Sequence, residues 1–204
     1  MMNVIKDELG KRVLKKYALP TAHPEHVADY ALTIFHALPM TWWEHATYPP
    51  EDLQLRLHLA ALLHDVGYAI GEKGHHKHSR YIIEHCAHLK SFSRDVTKTI
   101  AMLALSHRKK AKKSWLVKRF GDDLILLRLA AVLRIADGID RNHRGLVQIV
   151  SVEVCAKKLT ITLRGATPKM IEHILLKKAD LWPIAFSIPL HIQSEHMVSS
   201  LQND

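Results

Sequence analysis

His64 and Asp65 stand side by side in HLAALLHDVG; His23 opens HPEHVADYAL far upstream, and Asp137 ends the apolar stretch of LLRLAAVLRIADGIDR far downstream. Imidazole nitrogen and carboxylate oxygen are the borderline and hard ligands by which proteins hold divalent metals. An ion so held, with a coordination position left open, can act on phosphate. Neighbouring side chains in the last turn of a helix diverge by only ~100°, so His64 and Asp65 can reach one ion. Asp137 sits where an unpaired carboxylate is costly, and a metal is one way to compensate it. Each clue taken singly has a plain alternative, a structural His-Asp pair or a helix-end carboxylate. Four residues in the order His, His-Asp, Asp, each group on its own helix, are hard to ascribe to coincidence.

The elements that must position them read from apolar spacing. Val4, Ile5, Leu9, Val13 and Leu14 recur at helical intervals over Asn3 to Tyr17, until Pro20 stops the pattern. A helix from about Pro24 to His36 follows, with Val27, Ala28, Ala31, Leu32 and Phe35 on one stripe. Pro39 to Pro50 reads as a loop or bent short helix. Glu51 to Val66 is a strongly apolar central helix, closed by Gly67 through its freedom at positive φ. Helices are expected again at His76 to His88, Ser93 to His107 and Asp123 to Ile139, making about seven before residue 145. Alternation then marks strands at Val147 to Val154 and Leu159 to Leu163, with a turn at Ala156 to Lys158. A helix from Pro168 to Ala179 and a strand from Phe186 to Ile192 complete the pattern. The expected fold is mainly α: a helical body over 1–145, and a small α+β element with two or three short strands over 146–204 packed on it.

The chain has 204 residues, enough to bury a core without staples. Its 48% apolar and 24% charged residues are the balance of a globular protein. No apolar run reaches the ~18 residues of a membrane span, and the charged N-terminus is unlike a signal peptide, so a cytoplasmic location is expected. Cys86 and Cys155 show no CxxC spacing and suggest neither disulfide nor cysteine–zinc chemistry; both are read as buried thiols. The net charge of +9 favours polyanionic partners. Sixteen histidines make a metal site possible and chance histidine pairs common.

The ordered set resembles that of the HD-domain phosphohydrolases, whose metal ligands are His, His-Asp and Asp. GEKGHHKHSRYII, LSHRKK and LRIADGIDR further resemble the C-terminal HD-like domain of exopolyphosphatase and guanosine pentaphosphate phosphohydrolase proteins, from about His23 to the last strand. The resemblance implies an HD-domain helical bundle in which His23, His64, Asp65 and Asp137 bind a divalent ion (Mn, Fe, Co, Ni, Zn or Mg). His26 is the rival for the first position. It also implies that His75, four residues before Ser79, and His107 fall where a second ion's ligands would be. Ser106 stands where two-metal relatives often carry an adjacent histidine. The exopolyphosphatase proteins carry their chemistry in N-terminal actin-like domains. This chain offers no counterpart residues, so catalysis would rest on His64 and Asp65 with metal-bound water attacking phosphorus and Asp65 bridging two ions.

Basic residues adjoin each group of expected ligands: Lys77 and Arg80 beside His75, Arg108 and Lys109 beside His107, Arg141 and Arg144 after Asp137. Guanidinium suits bidentate phosphate contacts, although charged helix rims look alike. The run Arg108 to Arg119, dense in lysine and arginine with one tryptophan, could touch a nucleic-acid backbone or be a solvated face. The expectation is a metal-dependent phosphohydrolase acting on a nucleotide, a guanosine tetra- or pentaphosphate, or polyphosphate. A non-catalytic nucleotide- or polyphosphate-binding regulatory module is the alternative, and a nucleic-acid-binding protein the third option. Oligomeric state, including a homo-oligomer, is open.

Overall fold

Pro50 lacks the N–H that a helix's first turn leaves unpaired anyway, and Glu51 and Asp52 put negative charge at its positive end. The helix they start is the fold's axis. In the computed structural model, residues 2–44, 46–108, 120–121, 123–155 and 157–195 are described, side chains from Glu8 onward. Lys109 and the rest of the basic run to Arg119, like Ala156 of the expected turn, lie outside them.

Among the described residues, the α-helices before residue 145 are α1 (Met2–Lys16), α2 (Ala22–Ala37), α3 (Pro50–Leu63), α4 (His75–His85), α5 (Arg94–Ser106) and α6 (Leu124–Ile139). Leu53, Leu57, Leu59, Ala60, Ala61, Leu62 and Leu63 of α3 are fully buried. A helix apolar on so many sides must be covered on as many. Helices α1, α2, α5 and α6 supply the cover, each lodged leucine contributing roughly 1.5–3 kcal/mol. Helix α6 starts where the Asp123 carboxylate accepts from Leu126 N–H at 2.9 Å, and it is buried over nearly its whole length.

The end of α3 and the role of Gly67 differ from expectation. Helix α3 ends at Leu63 rather than Val66; His64 and Asp65 leave it into a 3-10 turn, Val66–Ala69. Gly67 is not among the positive-φ residues. It is needed for close approach: a Cβ there would lie 2.0 Å from the His75 carbonyl oxygen and 2.4 Å from the Ser79 nitrogen. Ser79 Oγ accepts the Gly67 N–H at 2.9 Å. Together these contacts seat α4 against the end of α3.

After residue 145 the chain forms β1 (Gln148–Cys155), antiparallel to β2 (Lys158–Arg164), which runs parallel to β3 (Leu190–Ser194). A parallel pair needs a crossover, made by α7 (Pro168–Lys177), a 3-10 turn (Ala179–Leu181) and the short α8 (Trp182–Phe186). The final strand therefore begins at Leu190, not Phe186. Pro183 suits a first helical turn, and Trp182, Ala185 and Phe186 bury one helical face. Leu159, Ile161 and Leu163 of β2 point inward alternately. With Ile174, Leu181 and Trp182 they join the same apolar cluster as the helices. Cys86 is buried as expected, but Cys155 is exposed because it ends an edge strand. No described helix is long and apolar enough to cross a membrane.

Candidate metal centre

Five helix ends meet at one place. His23 comes from the start of α2, His64 and Asp65 follow the end of α3, His75 opens α4, His107 caps the end of α5, and Asp137 lies in the last turn of α6. Helix C-termini expose unpaired carbonyls with partial negative charge, and here those carbonyls orient imidazoles. His64 Nδ1 lies 2.7 Å from the Ala61 carbonyl and His107 Nδ1 2.6 Å from that of Ala104, each three residues back. His75 Nδ1 meets the Glu72 carbonyl at 3.0 Å, and His23 Nδ1 meets Asp140 Oδ2 at 3.0 Å. A carbonyl or carboxylate oxygen can only accept, so each ring donates from Nδ1 and turns Nε2 toward the cluster, where the Nε2 atoms of His75 and His107 lie 3.2 Å apart.

Those Nε2 atoms converge on the carboxylates. Asp65 Oδ2 is 3.7 Å from His23 Nε2 and 3.4 Å from His64 Nε2. Asp137 Oδ1 closes this group at 3.9 and 3.8 Å from the same atoms. Asp65 Oδ1 faces the other way, 3.3 Å from His75 Nε2 and 3.4 Å from His107 Nε2. Ligands ~2.1 Å from an ion at tetrahedral or octahedral angles sit roughly 3.0–3.4 Å apart, so slight contraction of either group would fit one. His23 Nε2, His64 Nε2 and Asp65 Oδ1 are buried without a hydrogen-bond partner. Such orphaned lone pairs are costly unless an electrophile satisfies them. The donor set and its orientation fit divalent metal, in two groups that share Asp65.

The electrostatics set His64 apart from the other three rings. Burial lowers the pKa of His107, His23 and His75, keeping them neutral as ligands require. Burial also opposes charge on His64, but the Asp65 and Asp137 carboxylates outweigh it and lift that ring to about 9. Burial would raise Asp65 and Asp137; His64 holds the first well below the usual carboxylate range, and Lys178, then His64, hold the second.

A cleft of about 510 Å³ opens over the cluster, lined among others by Asp65, Tyr68, Arg108, Arg141, His143 and Lys178. Of the basic residues expected at phosphate, Arg108 and Arg141 lie here. Lys77 and Arg80 line a separate hollow beside Tyr81, and Arg80 pairs with Glu84 at 2.8 Å. On α4 they stand roughly 200° and 140° around from His75, so a helix that aims His75 at the cluster turns them away. Arg144 is exposed and is not among the cleft's lining residues. Between the rivals, His23 is the one whose Nε2 meets Asp65; His26 Nδ1 lies behind it, 3.1 Å from Asp140 Oδ2.

Three residues at the site escaped the sequence reading. Asp140, three residues after Asp137 and so on the same helical face, orients His23 and accepts the Gly145 N–H at 2.8 Å; its DGID spacing was the available signal. His143, at φ 54, stacks on His23 with ring centroids 3.7 Å apart. Lys178, just beyond α7, pairs with Asp137 Oδ2 and donates to the His107 carbonyl at 3.2 Å. No local sequence feature marks it.

The fold and cluster together define a predominantly helical domain built to gather imidazoles and carboxylates beneath a basic cleft. The chain belongs to the Ppx/GppA phosphatase, domain III, family, whose model matches residues 5–182. It is 29% identical over 160 residues to a guanosine-5'-triphosphate,3'-diphosphate pyrophosphatase of Aeromonas hydrophila, covering 78% of this chain and 31% of that protein. A protein of the same name from Aeromonas salmonicida is 29% identical over 174 residues, covering 83% of this chain and 33% of the relative. The chain thus spans about a third of the length of these relatives.

Proposed function

We propose that this protein is an HD-type, divalent-metal-dependent phosphohydrolase acting on a nucleotide, a guanosine tetra- or pentaphosphate, or polyphosphate. The observation that carries the reading is the four imidazoles, each held through Nδ1 with Nε2 turned toward Asp65. The names of the relatives, which specify a guanosine polyphosphate, support the substrate class.

In this reading His23, His64, Asp65 and Asp137 would hold one ion, and His75 and His107 together with Asp65 would hold another. Mixed nitrogen and oxygen ligands suit Mn, Fe, Co, Ni or Zn, with Mg as the harder option. Such an ion supplies an activated water and draws charge from phosphoryl oxygens. His64 and Asp65 fix the reacting centre, Arg108 and Arg141 orient phosphate, and the apolar core beneath excludes bulk water. The proposed ligands all precede residue 145, and His173, Leu176, Lys177, Lys178 and Asp180 of the α+β extension supply the cleft's remaining wall.

The test is phosphate release from a panel of nucleotides, cyclic nucleotides, guanosine polyphosphates and polyphosphate with Mn²⁺. Turnover should vanish with chelator and in His64→Ala and Asp137→Ala proteins of native circular dichroism. A second reading is a binding module without turnover. Folded, metal-loaded protein that binds one of these ligands tightly and releases nothing would establish it.

A further inference from the structure

Lys178 is placed with more care than a surface lysine requires. The buried Arg134 guanidinium donates to the carbonyls of Lys177 and Lys178, at 3.2 and 3.3 Å, and pairs with Asp180 at 2.5 Å. It also donates to the Ser106 carbonyl at 2.8 Å, tying the end of α7 to the end of α5. Gly138, next to Asp137, makes room: a Cβ there would lie 3.0 Å from Lys178 Cγ and 3.2 Å from Ile174 Cγ1. An ammonium has three donors. Lys178 gives one to Asp137 Oδ2 and one to the His107 carbonyl, leaving one for the cleft it lines.

Charge says what the cleft would accept. Asp180 is matched by Arg134, so Arg108, Arg141, Lys177 and Lys178 form the cationic lining against Asp65 and Asp137. Burial, then Arg141, Lys178 and Lys177 together, depress the His173 pKa, so these cations crowd one region. Divalent ions on the two carboxylates would add to the surplus. A single phosphate dianion neutralises only part of it; a chain of phosphates matches the rest.

We infer that Lys178 is a phosphate-binding residue at the edge of the metal cluster. With Arg108 and Arg141 it selects anions carrying two or more consecutive phosphates over a lone phosphate. This rests on the proposed metal site for its inner phosphate, but the subsite itself is tested by binding, independent of turnover.

Titration calorimetry with inorganic tripolyphosphate and orthophosphate, on chelator-treated and Mn²⁺-loaded protein, tests it. Tripolyphosphate should bind more tightly than orthophosphate in both states. Lys178→Met should weaken it about 10- to 100-fold, the worth of one charge-assisted contact, while bound Mn²⁺ per chain stays constant and Lys178→Arg restores most of the affinity. Should Lys178→Met fail to fold, the Arg108→Met/Arg141→Met double variant should show the same loss. Equal affinity for the two anions, or unchanged tripolyphosphate binding in whichever of these variants folds, would overturn the inference. If hydrolysis fails but the binding pattern holds, the subsite stands and only the catalytic reading falls.

Discussion

Asp140 Oδ2 stands 3.0 Å from Nδ1 of His23, so a carboxylate outside the cluster fixes the tautomer of an imidazole inside it. Carboxylate–imidazole–metal relays tune affinity by about 10- to 100-fold. Asp140→Ala should therefore weaken Mn²⁺ binding by that factor in competition with a chelating dye, without removing a ligand. An affinity equal to wild type would show that His23 needs no such support.

Arg134 is almost wholly buried and donates to the carbonyls of Ser106, Lys177 and Lys178 and to the Asp180 carboxylate. Truncation to Met removes the Arg134 cation from Asp180 and a donor from three carbonyls, so urea denaturation should show a loss of about 3–5 kcal/mol. A loss below about 1 kcal/mol would mean these segments are held by apolar packing alone.

The seat of α4 depends on backbone proximity. Gly67→Ala drives a Cβ into the His75 carbonyl and the Ser79 nitrogen, and should cost several kcal/mol and disturb the His75–His107 pair. Ser79→Ala leaves the Gly67 N–H unpaired and should cost about 1–3 kcal/mol. Equal, small effects of both in thermal melts would contradict the crowding.

Tyr30 donates to the Val147 carbonyl between α2 and the start of the sheet. Burial, then Asp140 and Asp29, push its pKa up from 10.0 to about 12. Above pH 10 the unfolded chain loses this proton while the folded one keeps it, so stability must fall from about pH 10 to 12. The alkaline decline should be shallower in Tyr30→Phe, measured by urea midpoint against pH. Parallel curves would rule Tyr30 out as the cause.

The helices were legible because their apolar stripes carry the period of 3.6, and β1 and β2 because theirs alternate. The order His23, His64–Asp65, Asp137 was legible because each sits where an apolar helix begins or ends. Phe186 was misread because a short apolar run lacks a period; Pro183 was its only helix signal. Lys77 and Arg80 were placed by adjacency to His75, whereas a helix separates adjacent residues by rotation. Lys178 could not be found from sequence: it reaches Asp137 only because the crossover between β2 and β3 folds α7 back onto α6.

Asp65 belongs to both candidate ligand groups through its two oxygens, so its removal is the most direct test of the proposed centre. Elemental analysis of Mn²⁺-loaded, desalted protein should show metal bound by wild type, reduced in His107→Ala and lost in folded Asp65→Ala. Metal content in Asp65→Ala equal to that of wild type would contradict the site.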